Sequence, residues 1–179
     1  MLLAATAALA ADGPQDHRNR IGLGLFRTLL AADRELAEKR LDSGELLILF
    51  VHRDDPEGAR ELMAAFARSD EAGEPEPVRG MPLLLEATAD PELAGYDHRR
   101  PAGVFLAQEL DGAARAAVVR FGIANRVATY SPFEGDVESG VLGGLSVEAQ
   151  VRPYVNARTL RESGMSLKEF FLAHSKVHE

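Results

Sequence analysis

The clearest hydrophobic pattern in the chain is the run over residues 45–51, ELLILFV, where Leu46, Leu47, Ile48, Leu49, Phe50 and Val51 follow without a polar break. A run of strand length with no alternation implies burial on both faces, as in a parallel sheet covered by helices. Upstream, over residues 19–40, Leu25, Leu29, Ala32 and Leu36 recur at helical spacing, with Ile21 and Phe26 beside them. Arg34, Glu35, Glu38, Lys39 and Arg40 take the other side, and Asp42-Ser43-Gly44 ends the pattern. Downstream, Asp55 can cap a helix and Pro56 suits its first position, where a missing N–H costs nothing. That helix turns Ala59, Leu62, Met63 and Phe66 to one face before a polar linker at 69–77.

Residues 81–87 and 102–107 read as two further strands, with a short turn or helix opening at Asp90-Pro91 between them. Residues 111–125 read as a helix with Ala114, Ala117, Val118 and Phe121 inward, and 126–130 as a fourth strand ending at Ser131-Pro132. Residues 141–156 suggest a hairpin turning near residues 148–150, at the sheet edge because Pro153 is out of place in a central strand. A short helix over 156–163 stops at Gly164, and Ser166 starts a last helix expected to run to residue 177. The order α-β-α-β-β-α-β predicts a three-layer α/β/α sandwich with a mostly parallel sheet and a C-terminal edge hairpin.

Length and composition narrow the function more than the fold. At 179 residues the chain fits one domain, and no stretch approaches the ~18 apolar residues of a membrane span. Residues 1–11 are uncharged, Leu- and Ala-rich, and contain the small-x-small site Ala8-Leu9-Ala10. We read them as part of an export signal, leaving 12–179 as a single soluble domain. With 20 Lys+Arg against 28 Asp+Glu the net charge is −8, which argues against nucleic acid or an anionic membrane as partner. The absence of cysteine excludes disulfides, iron–sulfur clusters, thiolate zinc sites and cysteine nucleophiles.

Candidate chemistry is sparse. Gly22-Leu23-Gly24 lacks the third glycine and the preceding strand of a dinucleotide site, and neither a P-loop nor a G-x-S-x-G elbow occurs. His174 and His178 stand four apart, a zinc-like spacing on a helix, but Leu167, Phe170, Phe171 and His174 form the apolar stripe, which favours packing of His174. Glu134, Asp136 and Glu138 offer three carboxylates that could take a hard cation or act as an acid/base pair, and a solvated acidic turn explains them more simply. No metal or cofactor is expected. In a doubly wound sheet, ligands bind outside the carboxyl ends of the strands. Those ends carry His52, Arg53, Asp54 and Asp55, then Gln108 and Glu109, then Ser131, Phe133, Glu134 and Asp136, so any small-molecule pocket should lie there. The competing reading is plain capping by Asp55 and a chain turn at Ser131-Pro132.

Several stretches together resemble the YfiR family: VATYSPF at 127–133, Gly143-Gly144-Leu145-Ser146, VRPYVN at 151–156, Ser163-Gly164-Met165 and Leu167-Lys168. The apolar strand leading to Asp54-Asp55-Pro56 fits the same pattern. The resemblance implies a secreted, dimeric periplasmic regulator without catalytic residues, which restrains a membrane-bound diguanylate cyclase through its periplasmic sensor and so lowers cyclic di-GMP. Under it Gly143 and Gly144 serve close backbone approach, Asn156 caps a short helix, and Gly164 marks the step toward the last helix. A similar C-terminal pattern occurs in periplasmic substrate-binding proteins of ABC transporters, which makes a small-ligand-binding component the alternative. A hydrolase or metal-dependent enzyme on the same loops ranks behind both.

Overall fold

The computed structural model describes residues 13–68, 76–148 and 150–179; the expected export signal, most of the 69–77 linker and Ala149 in the hairpin turn lie outside them. Seven strands form one sheet in the order β2-β1-β3-β4-β5-β6-β7. They are β1 (Leu46–Val51), β2 (Leu83–Thr88), β3 (Gly103–Leu106), β4 (Ala128–Tyr130), β5 (Gly143–Val147), β6 (Val151–Asn156) and β7 (Lys176–His178). β1 to β5 run parallel, β6 turns back antiparallel to β5, and β7 lies parallel to β6. The chain reverses its direction of travel across the sheet between β1 and β3, which is the topological switch point. The α/β expectation holds, and β7 extends the sheet one strand beyond the hairpin.

The helices are α1 (Pro14–Ala32), α2 (Pro56–Ala67), α3 (Gly112–Asn125), α4 (Ala157–Ser163) and α5 (Glu169–Ala173). α1, α2 and α5 cover one face with Leu46, Ile48 and Phe50 beneath them; Leu47, Leu49 and Val51 pack under α3 on the other. The unbroken apolar run of β1 is thus buried residue by residue on alternate faces. Phe26, Phe50, Phe66, Phe105 and Tyr130 join in one aromatic cluster, with Phe50–Phe105 centroids at 5.4 Å and Tyr130 stacked on Phe105 at 5.6 Å. α1 rests directly on the strands because Gly103 and Gly143 carry no side chain: a Cβ there would stand 2.6 Å from Leu30 and 2.7 Å from Leu29.

Several local expectations need correction. The first helix stops at Ala32, and Leu36–Lys39 forms a separate 3₁₀ turn. Asp33, fully buried, accepts from Glu35 N and from Lys39 Nζ at 2.6 Å, so Lys39 is drawn inward and is not a solvent-side residue. The helix expected from Ser166 to residue 177 is only α5, entered from Lys168, because pairing with β6 captures residues 176–178 as a strand. His174 and His178 therefore share no helix face. His174 is exposed and bonded to Phe170 O at 2.8 Å, while His178 stands beside Tyr154 on the sheet. Phe170 is 77% exposed, so the buried side of this segment consists of Leu167 and Phe171.

Candidate functional site

At the carboxyl end of β1 the backbone turns through Arg53, Asp54 and Asp55 into α2. Asp55 accepts from Gly58 N at 2.8 Å and Pro56 occupies the first turn, so this aspartate is the expected cap. Gln108, just beyond β3, sits at the switch point, where an open hollow of about 410 Å³ is lined by Arg53, Gln108, Glu109, Leu110 and Asp111. Its carbonyl accepts from the backbone N–H groups of Arg53, Asp54 and Asp55 at 2.9, 3.1 and 3.3 Å, and its amide donates to the Asp54 carboxylate. That donation, with the nearby Arg53 guanidinium, holds the Asp54 carboxyl below its ordinary range. Three amides that face a ligand in many doubly wound proteins are here satisfied from within.

The second predicted cluster divides. Ser131 and Asp136 are buried: the Ser131 hydroxyl donates to Asp136 at 2.6 Å and accepts from Phe133 N at 3.1 Å. Arg115, on α3, lies 3.0 Å from the other carboxylate oxygen. Burial pushes the Asp136 carboxyl up, against the opposing pulls of Ser131 and Arg115. At 2% exposure Asp136 is not part of a solvated acidic turn. It points inward while Glu134 and Glu138 are exposed, so the three acids do not converge. Among the described residues no cluster of three His, Asp or Glu could hold a metal ion.

Phe133 and Glu134 do line a cleft, of about 220 Å³. Its origin is a mismatch in strand length. β4 ends at Tyr130, which pairs with Gly143, while β5 runs on to Val147. The β5–β6 hairpin therefore projects past the carboxyl edge, and the loop after β4 lies alongside with a gap between. Phe133, Val137, Leu145 and Tyr154 supply apolar walls; Arg18, Glu134, Glu138, Glu148 and Lys176 supply charge. Arg18 reaches over from α1 and donates to Pro132 O at 3.1 Å. Lys176 sits 2.8 Å and Arg152 3.2 Å from Glu148, and the Lys176 contact chiefly lowers the Glu148 carboxyl.

Asp54 and Asp55 do not line this cleft, so the structure splits the predicted site in two. Sequence reading missed Arg18, Tyr154 and Lys176, which come from α1, β6 and β7. A signal was present only in the length of β5 relative to β4. A larger hollow of about 470 Å³ opens beside Lys39, Pro101 and Arg126, at the amino end of the strands, where this fold seldom binds ligands.

Gly143, Gly144, Asn156 and Gly164 lie at close contacts or helix ends. A Cβ on Gly144 would meet Val137 at 2.6 Å and Ser131 O at 3.0 Å, just as one on Gly143 would meet Leu29. Asn156 accepts from Thr159 N at 2.8 Å and caps α4, and Gly164 ends α4 at φ 65°.

No family model and no curated protein matches the chain. Solved structures do. The ABC domain from Streptococcus pneumonia in complex with L-Trp superposes with a TM-score of 0.51 at 13% identity, over 84% of this chain and 60% of that one. A conserved domain protein from Vibrio cholerae gives 0.53 at 12% identity, over 79% and 57%. The likeness establishes an α/β fold shared with these proteins. The matched region spans under two thirds of their length.

Proposed function

We propose that this protein is a ligand-binding domain that works by recognition and not by catalysis, with its site in the cleft between β5 and residues 133–138. The observation that carries this reading is the cleft's position and make-up: apolar walls and a charged rim at the carboxyl end of a doubly wound sheet. Its volume, about 220 Å³, matches roughly seven waters at ~30 Å³ each. That suits an amino-acid-sized group better than a cofactor. Similarity to a domain that holds L-Trp supports the small-ligand reading.

A panel of small metabolites tested by thermal shift examines this. A ligand at a hundred times its Kd adds about 2.7 kcal/mol, a rise of roughly 5–10 °C for a domain this size. Phe133→Ala and Arg18→Ala should remove that rise without lowering the unliganded Tm by more than a few degrees. A ligand whose effect survives both substitutions would place the site elsewhere.

A second reading is regulation of a membrane diguanylate cyclase from the periplasm, by a dimer, as the YfiR resemblance implies. It rests on that sequence resemblance; Gly143 and Gly144 stand at close backbone approaches and Asn156 and Gly164 at the ends of α4, which such a protein would also require. Co-purification from the native envelope with a cyclase-bearing membrane protein is its test, and recovery of no membrane partner counts against it.

A further inference from the structure

The hydrogen-bond parity of the hairpin determines what its outer edge presents. Asn156 N donates to Leu142 O at 2.9 Å, which sets 142 opposite 156 at a bonded position of the ladder, although Leu142 N itself donates to Thr129 Oγ1. Alternation in an antiparallel ladder then makes 144/154 and 146/152 bonded pairs and leaves 143/155, 145/153 and 147/151 unbonded. Pro153 fits this parity, since it sits where β6 donates nothing to β5. Gly143, Leu145 and Val147 consequently aim both main-chain groups away from β6, toward the β4 side. Gly143 O meets Ser131 N there at 3.0 Å. Beyond it β4 has ended, and among the described residues no protein group bonds the main chain of Leu145 or Val147 on that side. Leu145 is 7% exposed, so its N–H and C=O face the cleft from a largely buried position. Main-chain groups in such a place demand partners.

We infer that the cleft takes a short extended peptide, which adds beside β5 as a strand and carries a basic side chain. This rests on the ligand-binding reading above and names its ligand class. Main-chain groups of the peptide complete the bonds of Leu145 and Val147, and one side chain enters the space between Phe133, Val137 and Tyr154. Packing of Gly144 against Val137 closes one end of the free edge and the hairpin turn limits the other, so about three residues can pair. Charge favours a basic ligand. Glu134, Glu138 and Glu148 outnumber Arg18 and Lys176 on the cleft, Glu134 is exposed with no ion-pair partner among the described residues, and Lys176 is already engaged by Glu148.

The test is titration of the isotope-labelled full chain with Ac-Val-Lys-Val-NH2, followed by amide NMR. Expected are shifts centred on Leu145, Val147 and residues 133–138, and at least threefold weaker binding to Glu134→Gln. Successive N–H groups of a strand point to opposite sides. N-methylation of one of two adjacent peptide residues should therefore weaken binding at least tenfold while the other methylation changes it less than threefold. These peptide variants leave the protein untouched; Val147→Pro adds a protein-side check at an unbonded β6 position. Equal binding of both methylated peptides, or shifts centred elsewhere, would overturn the proposal. So would broadening of the Leu145 and Val147 amides with protein concentration alone, which would give the edge to a second copy of the chain. Binding of a non-peptide metabolite in the cleft with none of the peptide removes this inference and leaves the ligand-binding reading standing; failure of every ligand removes both.

Discussion

Arg115 lies 3.0 Å from the Asp136 carboxylate, and through this pair α3 holds the loop that forms one wall of the cleft. Ser131 ties the same carboxylate to the end of β4 at 2.6 Å. Asp136→Ala removes the buried partner of this pair and leaves the Ser131 hydroxyl without its acceptor, while Arg115 keeps only its bond to Leu110 O. Urea unfolding should show a loss of about 2–4 kcal/mol, with Asp136→Asn losing less because its amide oxygen still accepts from Ser131. A loss below about 0.5 kcal/mol for the alanine variant would mean the loop is held by other contacts.

The same carboxyl predicts a pH dependence of definite sign. Burial raises its folded-state pKa above the unfolded value of about 3.9. The protonated group's share of stability is then complete below that unfolded value and is lost as pH climbs through the folded one. The stability of the wild type minus that of Asp136→Asn should fall with rising pH across this window. A difference that is flat, or that grows with pH, would contradict the burial assignment.

Two glycine substitutions should act in opposite directions. Gly24 lies within α1 and a Cβ there meets nothing within 4 Å, so Gly24→Ala should stabilise by about 0.5–1 kcal/mol through helix propensity. Gly144→Ala would place a Cβ 2.6 Å from Val137 and 3.0 Å from the Ser131 carbonyl, and should cost about 1–3 kcal/mol. Because the displaced atoms belong to the cleft wall, ligand binding should weaken as well. Paired denaturation curves check both.

Tyr130 offers a test of the core. Its ring is stacked on Phe105, but its hydroxyl is buried with no partner among the described residues, and burial pushes its pKa up. Tyr130→Phe keeps the stacking and removes an unsatisfied group, so stability should stay level or rise by about 1 kcal/mol. A clear loss would reveal a bond that this hydroxyl makes in solution.

Much of the fold could be read from residue pattern because it is encoded locally. β1 declares its two-sided burial in six consecutive apolar residues, and Asp55-Pro56 announces α2. β7 could not be read this way, since Lys176, Val177 and His178 become a strand only through pairing with Tyr154, Val155 and Asn156. The site divides along the same line. Phe133 and Glu134 follow from the rule that ligands meet strand carboxyl ends. Arg18, Tyr154 and Lys176 reach the cleft through tertiary placement, which no local spacing records. Asp136 looked solvated among its acidic neighbours, and Arg115 on α3 together with the Ser131 hydroxyl explains its burial.

The most direct measurement is the amide spectrum of the full chain titrated with its tightest ligand from the metabolite and peptide panels. Shifts gathered on Arg18, residues 133–138 and Leu145 to Val147 are the predicted result. Shifts gathered instead on Arg53 to Asp55 and Gln108, or no ligand that shifts the cleft at all, would contradict the account.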